Sequence, residues 1–263
     1  MAKRSPEETM RAFLSGEDPF MRPMRRLFRR MPSSPHCKLC AVPFEGAGGA
    51  VLRHVGFGRF TGNPAICSNC IKELQHIGVM GAEIQVSLLF ADIRGSTTIA
   101  EPLRPAEFRA FLDHFYRTAA DVVLGHDGIV DKFVGDEVIG LFFQGVSGPR
   151  HAAAAVAAGQ DLLRRVGLPD ASPLGPIPVG AAVHAGAAYV GSTGSGDAVN
   201  DFTALGDVVN TTARLASEAS AGELLVSTDA ATAAGLDLAV LDHRTLHVRG
   251  RVEPVDVVVH RSI

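Results

Sequence analysis

IVDKFVGDEVIGLFF, residues 129–143, carries an apolar run on each side of Gly135-Asp136. The two runs read as strands of an antiparallel hairpin that turns at the Gly-Asp pair. Such a turn lifts the Asp136 carboxylate clear of the sheet. Lys132 stands four residues earlier, an even offset, so strand alternation aims it at the same surface. Most Gly-Asp turns are only turns, and a second stretch gives this one its weight: LLFADIRGST at 88–97. There an apolar run brings Asp92 to the mouth of a sheet, and a Gly-Ser-Thr turn opens a helix. Two carboxylates at neighbouring strand ends beside a helix N-terminus suit a divalent metal carrying a polyphosphate.

Around these two stretches the chain alternates between periods. A strand is expected from Ile84, and PLRPAEFRAFLDHFYRTAADVVLGHDG has apolar residues at helical spacing that end near Gly125. Residues 149–166 read as a second helix with a proline start. VGAAVHAGAAYVG reads as a strand pair and GDVVNTTARLASEA as a helix, with strands in GELLVS and in LHVRGRVEPVDVVVH. The order from residue 84 is β-α-β-β-α-β with additions, a ferredoxin-like α+β plan. In FTALGDVVNTTARL, Asn210 and Arg214 lie four apart on one helix and so on one face. An amide beside a guanidinium can clamp a ribose and a charged phosphoryl oxygen, although the pair taken alone reads as a surface arginine with a local hydrogen bond.

The N-terminal third differs in kind. Residues 1–36 form a basic arm with Arg22, Arg25, Arg26, Arg29 and Arg30, among which Phe20, Met24, Leu27 and Phe28 recur at helical spacing. The arm reads as a solvated helix or, functionally, as a contact for an acidic partner or an anionic membrane surface. Residues 37–70 hold all four cysteines, as Cys37-Lys-Leu-Cys40 and Cys67-Ser-Asn-Cys70, with a glycine-rich, looped connection expected between them. Two such knuckles complete a four-sulfur shell for zinc or, as the alternative, an iron–sulfur cluster; redox-active or unliganded thiols are the third reading. Residues 71–83 read as a connector to a catalytic domain at 84–263. The net charge of −3 argues against a general nucleic-acid binder. Met1 to Arg30 lacks the apolar core of a leader, and the expected location is cytoplasmic.

FADIRGST, DKFVGDEVIGLF and FTALGDVVNTTARL, in this order and spacing, resemble the class III nucleotidyl cyclases, the adenylate and guanylate cyclases. The resemblance implies a role for each matching position. Asp92 and Asp136, with Ile93, would sit at a site for two Mg2+ or Mn2+ ions. The backbone from Ile93 through Gly95, Ser96 and Thr97 would cradle phosphates. Lys132 would read adenine, with Thr203 as its companion; Asn210 and Arg214 would serve the transition state, and Arg249 the terminal phosphates. One departure stands out: Gly180 precedes His184-Ala-Gly186 where many members place an arginine. The implied activity is conversion of ATP to 3′,5′-cyclic AMP and pyrophosphate at composite sites of a homodimer. The alternatives are cyclic GMP, UMP or CMP as product, or a non-catalytic nucleotide sensor.

Overall fold

A computed structural model describes residues 4–19, 21–32, 35–61, 63–76, 81–193, 201–248, 251 and 253–261. The chain divides into two compact units. The first comprises Met1–Gln85, Phe143–Pro149 and Ala187–Leu205, and the second Val86–Phe142, Arg150–Gly186 and Gly206–Ile263.

In the first unit, α1 (Pro6–Leu14) starts where Ser5 and Glu8 cap each other, Ser5 Oγ accepting from Glu8 N at 3.1 Å and Glu8 Oε2 from Ser5 N at 2.8 Å. It buries Met10, Phe13 and Leu14. The basic helix α2 (Met21–Phe28) tolerates Pro23 because the proline falls in the first turn, where its missing N–H has no helical partner to lose. The glycine-rich connection contains a helix, α3 (Gly46–Leu52), followed by a wide turn at Arg53–Phe57. That corrects the looped connection expected from its glycines. Gly49 is buried there because a side chain would run into the Phe44 carbonyl. α4 (Ser68–His76) leads toward β1 (Gly81–Ile93), which begins three residues before the expected start.

The second unit carries the α+β core. From β1 the chain passes through α5 (Ser96–Ala100), α6 (Pro105–Gly125), β2 (Ile129–Val134) and β3 (Glu137–Phe143). The hairpin forms as expected, with Val134 opposite Glu137 and Gly135 at φ 62°, left-handed backbone that glycine takes without steric cost. A bulge between Val130 and Lys132 breaks the strict alternation on which the Lys132 parity argument rested. After α7 (Gln144–Ser147) in the first unit come α8 (His151–Val166) and β4 (Val179–Thr193). β4 is one long strand where the sequence suggested a pair. Neither Gly180 nor Gly186 takes positive φ, so the chain changes partner instead of reversing. Ala181–Val183 pair in parallel with β6 (Glu223–Ser227), and Tyr189–Thr193 pair with β5 (Asp201–Leu205). Between those partners lies α9 (Asp207–Glu218); α10 (Thr228–Ala234), β7 (Asp242–Leu246) and β8 (Val255–Arg261) complete the order.

The sheet runs β2-β3-β1-β4-β6-β8-β7, whose first four strands are the ferredoxin-like set. α6 and α8 cover one face of it, burying Phe111, Phe115, Val122, Leu162 and Leu163 against Leu89, Phe142, Val183 and Leu224. The alanine-rich face of α8 allows close approach, and a side chain on Gly159 would strike Leu224. At the far edge Glu223 fastens three strands. It accepts from Arg244 at 2.5 and 3.0 Å, from Arg261 at 3.2 Å and from Ser220 N at 3.1 Å. These donors, Arg244 foremost, lower its pKa from 4.5 to about 2. A depressed carboxyl stabilises the fold above its unfolded pKa, and that stability is lost as pH falls from about 4.5 through 2. Glu223→Gln is therefore expected to cost roughly 1–3 kcal/mol at neutral pH and to flatten the acid limb of a plot of Tm against pH.

Candidate active site

The apolar run LLFADI is buried along β1, so Asp92 emerges only at the strand end, with its side chain 27% exposed. There it meets the hairpin turn: Ile93 N donates to Asp136 O at 3.2 Å, which fixes the two aspartates as neighbours. Burial, and then the carboxylate of Asp136, push the Asp92 carboxyl up, while the Arg94 guanidinium opposes them. Glu137 is raised to about 7 by burial and by Asp92 and Asp136. Burial and neighbouring carboxylates both disfavour charge on Asp92 and Glu137, a tension that a bound cation would relieve. The donor set, oxygen only, suits Mg2+ or Mn2+, and Asp92 and Asp136 are the residues that would hold them. Arg94 bonds the Asp92 carboxylate directly and also donates to Ser217 O, at 3.0 Å, in the last turn of α9.

Beside the aspartates opens a cleft of about 310 Å³, lined by Ser96, Thr97, Ala100, Phe108, Leu112, Gly135 and Asp136. Gly95, at φ 67°, starts α5. That helix is a single turn of five residues that stops ahead of Pro102, so its dipole is small. The first-turn N–H groups of such a helix have no intrahelical partners. Tyr116 on α6 donates its hydroxyl to Gly135 O, and its ring packs 4.6 Å from Phe133. The turn that carries Asp136 is thus pinned from the helix side.

The remaining residues fall in three places. Lys132 is half-buried on β2, its ammonium 4.0 Å from Asp131. Thr203 is buried on β5 in the first unit, opposite Gly191. Asn210 is exposed on α9, and Arg214, half-buried one turn on, has no ion-pair partner among the described residues. Arg249 lies outside the described residues. Two positions further, Arg251 donates to Asp207 at 2.9 Å and Thr211 at 2.8 Å on the first turns of α9. The sequence reading missed Arg251, Arg94, Glu137 and Tyr116; only Arg94 and Glu137, within two residues of motif aspartates, left any signal. Gly180 rests against the backbone of Ala219 and Ser220, where an added Cβ would lie 2.5 Å from Ala219 O. No arginine fits there without moving α9's end. The four cysteines, in the first unit, lie with their sulfurs all within 4.8 Å of one another and form a group able to hold a metal.

The family model for the adenylate and guanylate cyclase catalytic domain matches residues 79–261. The chain belongs to that family, and its α+β fold is that of a class III nucleotidyl cyclase. It is 34% identical over 148 residues to adenylate cyclase 1 of Rhizobium meliloti (strain 1021), covering 54% of this chain and 22% of the relative. The chain thus spans about a fifth of the length of that curated relative. Among solved structures, the guanylyl cyclase Cya2 superposes with a TM-score of 0.63 at 31% identity, covering 69% of this chain and 93% of the other. The adenylyl cyclase CyaB from P. aeruginosa gives 0.59 at 27% identity, with 70% and 98% covered. No described helix is long and apolar enough to cross a membrane.

Proposed function

We propose that this chain is an adenylate cyclase, converting ATP to 3′,5′-cyclic AMP and pyrophosphate. The observation that carries the reading is the pairing of Asp92 with Asp136 at one strand mouth, joined by the Ile93–Asp136 hydrogen bond. Bound there, divalent ions would supply Lewis-acid charge to the triphosphate and the ribose 3′-oxygen. The protein's own work is positioning. Asp92 and Asp136, with Ile93, hold the cation site, and the backbone at Gly95, Ser96 and Thr97 holds phosphate oxygens. Lys132 donates to adenine N1, and the Thr203 hydroxyl accepts from the exocyclic amine. Asn210 orients the ribose, while Arg214 and Arg249 balance phosphate charge. The catalytic domain starts at about Ile84, preceded by the arm at 1–36, the four-cysteine module at 37–70 and the connector at 71–83. It works as a homodimer in which one protomer supplies the aspartates and its partner supplies Lys132, Thr203, Asn210 and Arg214.

Similarity to a guanylyl cyclase structure as well as to adenylate cyclases makes base choice the point to test. Lys132 is a pure donor: it matches the N1 acceptor of adenine and opposes the N1–H of guanine. A mismatched donor pair in a closed pocket costs roughly 1–3 kcal/mol per unsatisfied group, or about tenfold to hundredfold in rate. Product analysis with ATP, GTP, CTP and UTP, each with Mg2+ and Mn2+, is expected to give chiefly cyclic AMP. Lys132→Glu is expected to depress cyclic AMP formation more than residual cyclic GMP formation. An unmoved ratio, or a wild-type product that is chiefly cyclic UMP or CMP, would overturn the base assignment.

A further inference from the structure

The metal-ligating residues that the cyclase chemistry leaves unused are the four cysteines of the first unit. We propose that Cys37, Cys40, Cys67 and Cys70 hold one zinc ion in a tetrahedral four-thiolate shell, and that this ion locks the two knuckles together. All four side chains are buried, at 0–2% exposure. The cross-knuckle sulfurs lie 3.9 Å apart for Cys37–Cys70 and 3.6 Å for Cys40–Cys67. A zinc–sulfur bond of about 2.3 Å in a regular tetrahedron places its sulfurs about 3.8 Å apart. An iron–sulfur cluster spreads its thiolates over two or more irons, and thiolates on different irons lie farther apart than the 4.8 Å that holds all four sulfurs here. Disulfides need sulfurs at about 2.05 Å, and the near pairs are close to twice that distance.

The backbone is folded for anionic sulfur. Cys67 N donates to Cys37 Sγ at 3.3 Å, and Cys70 N donates to Cys67 Sγ at 3.4 Å. In the first knuckle Ala41 sits in left-handed backbone at φ 62°, a conformation alanine rarely adopts. Ala41 N to Cys37 O at 2.8 Å and Cys37 N to Val42 O at 2.9 Å hold it there. The second knuckle enters the first turn of α4, so one pair of ligands comes from a tight turn and the other from a helix start. Four thiolates on a divalent ion leave a net negative centre. Burial and then Arg29 lower the pKa of Arg25 on α2, and charge on Cys37, Cys40 and Cys70 opposes that lowering.

This inference is independent of the cyclase reading, because its readout is metal and not product. Metal analysis of the full chain is expected to give about one zinc per chain and no iron. A mercurial titrated into the wild-type protein with a colorimetric zinc indicator present should release that zinc as four thiols react. Cobalt loading should give the intense visible bands of a tetrahedral thiolate site. Cys67→Ser should lose at least about nine-tenths of the zinc and lower Tm; if the variant aggregates, the wild-type titration still decides. Iron with acid-labile sulfide, a mass showing two disulfides, or four fast-reacting thiols in metal-free folded protein would each overturn the proposal.

Discussion

Asp92→Ala and Asp136→Ala are each expected to lower cyclase turnover by about a thousandfold or more, since several kcal/mol of charge stabilisation depends on the cation site. Loss of fold will not mimic the result, because the site is built on electrostatic tension. Burial and Asp136 push the Asp92 carboxyl up, and Asp92 and Asp136 together help raise Glu137 to about 7. Removing one carboxylate relaxes that repulsion. Asp136→Asn should consequently show a Tm equal to or above the wild type, while being as inactive as the alanine variant. Asp92→Asn is the weaker stability control, because Arg94 would lose its ion-pair partner. Initial rates with saturating Mg2+ or Mn2+ and thermal melts check both halves. Activity in Asp92→Ala above about a tenth of wild type would end the two-aspartate assignment.

The parts of this site that could be read from the sequence were those set by local rules. Period-two alternation around a glycine at positive φ gave the hairpin, and a buried apolar run gave the strand that delivers Asp92. Two C-x2-C pairs gave the four-sulfur group, since each spacing is a turn in its own right. What escaped was set by distant partners. β4 reads as two strands because its glycines look like a turn, yet it stays extended to pair first with β6 and then with β5. Gly145 is an unremarkable loop residue in sequence, but its Cα faces the Leu14 carbonyl so closely that a Cβ would overlap it. The first unit gathers three separated segments, and no window of sequence shows that Thr203 shares it with the cysteines. Arg94 stands two residues after a motif aspartate, but its second bond, to Ser217 O, depends on the fold.

Mixing two inactive variants, Asp92→Ala and Arg214→Ala, is expected to restore about a quarter of wild-type activity after subunit exchange, if sites are shared across a homodimer. Random exchange makes half the dimers mixed. In a mixed dimer one site carries both lesions, and the other takes intact Asp92 from one chain and intact Arg214 from its partner. Half of the sites in half of the dimers therefore work. The competing geometry is a site within one chain. It has a concrete argument, because Arg94 ties the Asp92 end of β1 to Ser217 on the chain's own α9. Seven residues separate Ser217 from Asn210, however, which is about 10 Å along a helix. Asn210 is exposed, and Arg214 has no ion-pair partner among the described residues, as suits groups that await another molecule's phosphates. A site confined to one chain leaves every mixed dimer as inactive as its parents. Assaying the mixture against each variant alone, with exchange confirmed by mass, separates the two: recovery near a quarter supports the shared site, and no recovery despite confirmed exchange rejects it.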